Sequence, residues 1–110
     1  ALDIADGILK EALTLITSPN PSLRGVFHMT AEGEATWAEF AEAVFSASLA
    51  SSGPSAMVKP ITTSEYPTPA ARPANSRLNC EQIALYHGVN LPAWQVSVKA
   101  VVGRLNLDAN

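Results

Sequence analysis

Arg72 stands between Ala71 and Pro73 in a segment, Thr62 to Leu78, that reads Thr-Thr-Ser-Glu-Tyr-Pro-Thr-Pro-Ala-Ala-Arg-Pro-Ala-Asn-Ser-Arg-Leu. A guanidinium is a planar fork of N–H donors, which suits the paired oxygens of a pyrophosphate better than the point charge of a lysine does. Asn75 and Ser76 follow closely and add short donors and acceptors of the kind that meet a sugar or a base. Prolines at 67, 69 and 73 fix φ at those sites and push the preceding residues toward extended conformations. Such a segment loses less entropy on ordering, so it can hold its side chains in place before a ligand arrives. From Lys59 to Arg77 there are three cations and one anion, a balance of +2, which leaves −5 for the rest of a chain whose net charge is −3. A positive island on an acidic background suits phosphate. Composition allows a plainer reading as well, in which Arg72 pairs with a nearby carboxylate and the prolines only brace a surface loop.

Other reactive side chains carry weaker signals. His28 lies in an apolar stretch and reads as a core imidazole rather than a catalyst. His87 precedes Gly88 at a helix end, where a cation suits the dipole, and it is too far along the chain from His28 to suggest a zinc pair. Cys80 reads as a small structural residue with no evident histidine partner. Glu32, Glu34, Glu39 and Glu42 read partly as a helix cap and partly as a solvated face, without metal-ligand spacing. Trp37 and Trp94, at helix starts, read as core anchors.

The elements that must position these groups follow from periodicity. Leu2 to Thr17 predicts a helix with Ile4, Ile8, Ala12, Leu15 and Ile16 on one stripe. The run from Thr17 to Ser22, with two prolines, stops it. Gly25 to Thr30 is β-rich and bounded by turn formers, which predicts a strand. Thr36-Trp37-Ala38-Glu39 is a capping box. The helix it opens places Trp37, Phe40, Ala41, Val44, Phe45 and Leu49 at core-facing spacing and ends at Ser51-Ser52-Gly53-Pro54-Ser55. Met57 to Thr62 suggests a second strand, demoted to an edge by Pro60, and Thr63 to Ser76 an extended loop. Asn79 caps a short helix that Gly88 stops. Pro92 opens the last helix, with Trp94, Val98, Val101, Val102 and Leu105 on its apolar face. The architecture expected is helix, strand, helix, edge strand, proline-rich loop, helix, helix: a small α/β unit, mostly helical, whose few short strands need partners from elsewhere.

With 110 residues, the chain suffices for one domain, 1–110, and not for two ordinary ones. Apolar residues make up 47% and charged residues 15%, against a usual charged share of about 25%. A small free-standing domain needs charge to cover its large surface, so this shortage points to a face built to meet further protein. The absence of a basic run argues against nucleic acid as a partner. No apolar stretch approaches the roughly 18 residues of a membrane helix. Ala1 to Gly7 carries two Asp and no Lys or Arg, unlike a secretory signal. One cysteine excludes an internal disulfide and fits a reducing cytoplasm. The absence of an initial Met, with helical periodicity from the outset, reads as part of a longer polypeptide.

Four stretches in order also resemble one family. Glu65-Tyr66-Pro67-Thr68-Pro69-Ala70, then Arg72-Pro73, Asn75-Ser76 and Leu78, resembles the C-terminal signature of dTDP-4-dehydrorhamnose reductases. Gly25-Val26-Phe27-His28 is similar to the family's Gly-x-Tyr-His strand. Thr36-Trp37 with Phe40-Ala41 resembles its Ser/Thr-Trp-x-x-(Phe/Tyr)-Ala helix start, and Leu91-Pro92-x-Trp94 its Leu-Pro-x-Trp element. The resemblance implies the small C-terminal substrate-binding domain of a Rossmann-type extended short-chain reductase, its N-terminal Rossmann domain absent here. The family reduces dTDP-4-dehydro-L-rhamnose to dTDP-L-rhamnose with NADPH or NADH, a nicotinamide giving the hydride while a Tyr, with a Lys four residues later, supplies the proton.

By the same resemblance Arg72 takes the diphosphate of the dTDP-sugar. Asn75 and Ser76 line the cleft or lock the turn, and Tyr66 either lies near the ligand or packs. Catalytic and cofactor-binding residues are expected outside this chain: Tyr66 is followed four residues on by Ala70 and Tyr86 by Asn90, and the six glycines form no phosphate-binding fingerprint. Some relatives form a homodimer through magnesium held by glutamates; Leu2 and Arg104 stand at the corresponding places, which speaks against that metal bridge here. The competing readings are a non-catalytic regulatory relative and a free-standing helical interaction module.

Overall fold

The computed structural model describes residues 1–108. Four α-helices are present among them: α1 (Leu2–Thr17), α2 (Trp37–Ala50), α3 (Glu81–His87) and α4 (Trp94–Asp108), with 3-10 turns at Pro21–Leu23 and Thr63–Glu65. The helices begin and end for local reasons. At α2, the Thr36 hydroxyl accepts from the Glu39 amide (3.1 Å) while the Glu39 carboxylate accepts from the Thr36 amide (2.8 Å), so the expected capping box is formed. At α3, the Asn79 side chain accepts from the Glu81 amide (2.8 Å). Gly88 ends α3 in the left-handed region at φ 62°, a conformation that costs a residue with a Cβ about 1–2 kcal/mol. The last helix starts two residues after Pro92 rather than at it.

The expected strands are not there. Neither 25–30 nor 57–62 pairs with anything; among the described residues the β-structure is one parallel bridge between Glu32 and Ala93. In it the Glu32 amide donates to the Pro92 carbonyl (3.1 Å) and the Trp94 amide to the Glu32 carbonyl (3.0 Å). A β-rich stretch becomes a strand only when a neighbour supplies the other half of the hydrogen-bond ladder, and none of the described residues does so. The expectation of a mostly helical unit therefore holds, while its few short strands do not form among the described residues.

The chain divides into two compact units. The first comprises Ala1–Gly33 and Arg77–Trp94. Here α1 and the Pro21–Leu23 turn pack on α3, around Ile83 (2% exposed), Leu23, Val89 and His87, each apolar side chain worth about 1.5–3 kcal/mol of burial. The buried point of α1 is Gly7: a Cβ there would lie 2.7 Å from the Met29 sulfur and 3.3 Å from Val89 Cγ1. The helix is therefore seated on the side of Gly7. Of the expected stripe, Ile4, Ile8 and Ile16 lie exposed and only Ala12 and Leu15 half-buried.

The second unit comprises Glu34–Ser76 and the chain from Gln95 onward. Its buried residues are Ala47 and Ser48 of α2. The Asn106 side chain of α4 donates to the Ser48 carbonyl (3.4 Å), and a Cβ on Gly53 would collide with both Asn106 and the Ser48 hydroxyl. Ala41, Val44 and Phe45 are half-buried as their spacing suggests, whereas Leu49 is exposed. On α4, Trp94, Val98 and Val102 are half-buried and Val101 and Leu105 exposed.

Candidate functional site

The segment from Ile61 to Asn79 is exposed at every position, and short-range bonds order its first half. Glu65 reaches back across a single 3-10 turn, its carboxylate accepting from the Thr62 amide (2.6 Å) and the Thr62 hydroxyl (3.0 Å). Those two donors, the amide first, hold the Glu65 carboxyl below the usual carboxylate range. The Thr62 hydroxyl also meets Ser64 Oγ at 2.9 Å, and the Thr68 hydroxyl donates to the Ala70 carbonyl (2.9 Å). This turn was missed by reading 63–76 as an extended loop. Its signal was present, since Thr62-x-x-Glu65 has capping-box spacing, but no apolar run follows to draw attention to it.

Tyr66, Arg72, Asn75 and Ser76 all belong to the second unit and all are exposed. Tyr66, 70% exposed, does not pack into a core. Among the described residues the Arg72 guanidinium has no carboxylate partner, so the surface-ion-pair reading of this arginine finds no support. Asn75 already has an interaction within the chain. Two cavities lie elsewhere. One, of about 140 Å³, is lined in the first unit by Asp3, Asp6, Lys10 and Pro92. The other, open and about 550 Å³, is lined in the second unit by Ala43, Ala47, Gln95 and Lys99. Neither is lined by any of the four residues; with every position from 61 to 79 exposed, the loop is an open, charged ledge.

The remaining candidates are reassigned by their surroundings. His28 is exposed rather than in a core, because the strand that would have turned it inward is absent. His87 ends α3 beside Gly88, as expected, and is buried there. Its Nε2 lies 2.9 Å from the Leu23 carbonyl oxygen, and its ring meets Phe27 edge-on at 4.9 Å. A carbonyl can only accept, so Nε2 carries the proton, and the buried Nδ1 has no partner. Trp37 is 88% exposed, standing edge-on to Phe40 on the surface, and is not the anchor its spacing suggested. Trp94 is half-buried, its ring 3.1 Å from where a Cβ on Gly33 would sit. Cys80 Sγ lies 3.2 Å from the Thr30 hydroxyl, a structural contact. No cluster of three or more metal-ligating side chains occurs among the described residues.

Comparison with known proteins adds the decisive observation. A family model described as the RmlD substrate binding domain matches residues 1–107. The chain belongs to that family. A dTDP-4-dehydrorhamnose reductase of Sinorhizobium fredii (strain NBRC 101917 / NGR234) is 42% identical over 106 residues, covering 96% of this chain and 36% of the relative. The reductase of the same name from Escherichia coli (strain K12) is 40% identical over 87 residues, 77% of this chain and 29% of the relative. One from Burkholderia thailandensis is 36% identical over 104 residues, 89% of this chain and 35% of the relative. The domain thus spans about a third of the length of these relatives. No solved structure matches it.

The domain's own residues do not fit a nicotinamide dinucleotide. A Rossmann-type site for that cofactor needs a glycine-rich turn between a strand and a helix N-terminus. Here the glycines at positive φ, Gly25, Gly33 and Gly88, are scattered, and none lies in such a turn. No helix of the described residues is long and apolar enough to cross a membrane.

Proposed function

We propose that the domain supplies the nucleotide-sugar-binding part of a dTDP-4-dehydrorhamnose reductase, the whole enzyme reducing dTDP-4-dehydro-L-rhamnose to dTDP-L-rhamnose in the cytoplasm. NADPH or NADH is assigned to a Rossmann domain in the part of the enzyme outside the matched third. The name shared by the relatives supports the reaction. The observation that carries the domain's role is Arg72: an exposed guanidinium, without a carboxylate partner among the described residues, on a segment stiffened by three prolines and pinned at its start by the Thr62–Glu65 turn.

In this reading Arg72 meets the diphosphate with two parallel N–H···O bonds, the prolines lower the entropy of holding it there, and Asn75, Ser76 and Tyr66 border the sugar and base. None of these groups reacts. The domain binds and orients, and the rest of the chain closes the ledge into a cleft. The test is Arg72→Ala in the full-length enzyme. The expected outcome is a raised Michaelis constant for the dTDP-sugar, corresponding to about 1.5–3 kcal/mol for a hydrogen bond to a charged group, with the Michaelis constant for the nicotinamide unchanged. Unaltered kinetics would remove Arg72 from the site.

A further inference from the structure

Between Thr62 and Arg72 the chain is fixed by short links in succession. The Glu65 amide donates to the Thr62 carbonyl (3.1 Å) and the Tyr66 amide to the Thr63 carbonyl (3.2 Å), which closes a single 3-10 turn. The Glu65 side chain closes the same turn a second time, its Oε2 accepting from both the amide and the hydroxyl of Thr62. Pro67 then fixes φ, and the Thr68 hydroxyl ties to the Ala70 carbonyl across Pro69. Ala71, Arg72 and Pro73 follow at once. A lone turn of this kind is a poor holder of its own shape, because few bonds oppose the entropy of several dihedrals. Every residue of it is exposed, so core packing does not hold it either. The bonds of Glu65 therefore set the course on which the segment leaves Thr62.

Glu65 is also the one anion between Lys59 and Arg77. A free carboxylate there would repel a diphosphate and compete for the Arg72 guanidinium. Instead it is committed to Thr62, seven residues before the arginine. We infer that Glu65 is a positioning residue for Arg72: by reaching across the turn to Thr62, it fixes the base from which the guanidinium is presented to the diphosphate of the nucleotide sugar. The inference rests on the reading of Arg72 as the diphosphate ligand. The negative charge strengthens the two bonds but meets no ligand itself. Reach and charge can be separated chemically. Glutamine keeps the length and an accepting oxygen, which is why it shares this capping position with glutamate. Aspartate keeps the charge and is one methylene too short.

The experiment measures kcat and both Michaelis constants of the full-length enzyme carrying Glu65→Asp, Glu65→Ala or Glu65→Gln, each alone and combined with Arg72→Ala. Glu65→Asp and Glu65→Ala are expected to raise the Michaelis constant for the dTDP-sugar about fivefold, the scale of a lost hydrogen bond. Glu65→Gln is expected to restore most of that loss, with kcat and the Michaelis constant for the nicotinamide unchanged throughout. In the Arg72→Ala background the three changes are expected to have no further effect, since a residue that acts through the guanidinium has nothing left to act on. A Glu65→Asp enzyme like the wild type, a Glu65→Gln enzyme as impaired as Glu65→Ala, or effects that add to that of Arg72→Ala would each overturn the inference. If Arg72→Ala raises the Michaelis constant while the Glu65 series is flat, the positioning role fails and the substrate site stands. If Arg72→Ala by itself changes nothing, both fall.

Discussion

His87 shows how a residue with catalytic potential is committed to structure. Its Nε2–H donates to the Leu23 carbonyl and its ring fills space against Phe27, so His87→Phe keeps the volume and leaves a buried carbonyl unsatisfied. That change is expected to cost about 1–3 kcal/mol in urea unfolding, with His87→Gln, which keeps an N–H, losing less; equal losses would show that the hydrogen bond contributes nothing. Glu65 makes the opposite case, on the surface. Because the Thr62 amide and hydroxyl favour its charged form, the pKa in the folded turn lies below that of the free chain. The stabilisation of the turn is then complete above the free-chain value and is lost as pH falls through the lowered one. A carboxyl-detected NMR titration is expected to place the Glu65 midpoint below that of a glutamate in an unstructured peptide, and Glu65→Gln to abolish the loss of order on the acid side. A peptide-like midpoint would mean that the turn does not persist in solution. Arg72 could be singled out from its neighbours alone, since rigid prolines and local positive charge are sequence facts; the lack of a carboxylate beside it among the described residues could not.

Elements whose ends are set by local bonds were legible. The Thr36–Glu39 box and the Asn79 bond to the Glu81 amide follow from side chains reaching a few residues along the chain, the Gly88 stop from a backbone conformation glycine favours, and the end of α1 from the prolines at 19 and 21. Strands are another matter, because 25–30 and 57–62 carry β-favouring residues but depend on a neighbour that spacing cannot reveal. The end of α2 holds a local conflict. Ser52 occupies the left-handed region at φ 58°, while the amide of Gly53 donates to the Ser48 carbonyl (2.8 Å), so the glycine stands one residue after the position that favours it. Ser52→Gly is expected to stabilise the chain by about 1 kcal/mol, read as a higher midpoint in thermal unfolding. A fall would show that the Ser52 side chain contributes something the backbone geometry does not reveal.

At the scale of the whole molecule, the domain covers roughly a third of its relatives and leaves large apolar side chains uncovered on all four helices. This agrees with a charged share of only 15%. The 110-residue chain by itself, mixed with NADPH and dTDP-4-dehydrorhamnose, is expected to give no reductase turnover; measurable oxidation of NADPH coupled to formation of dTDP-rhamnose would contradict the division of labour proposed here. From the amino-acid order alone came the helices, their caps, the stiff arginine segment and the resemblance to the family, because each depends on groups close together in sequence. Which side of each helix is covered was decided only by the tertiary structure: Gly7 inward and Leu9 outward, His87 buried and Trp37 exposed. An apolar periodicity states that a face will be covered, and only the placement of distant segments determines what covers it.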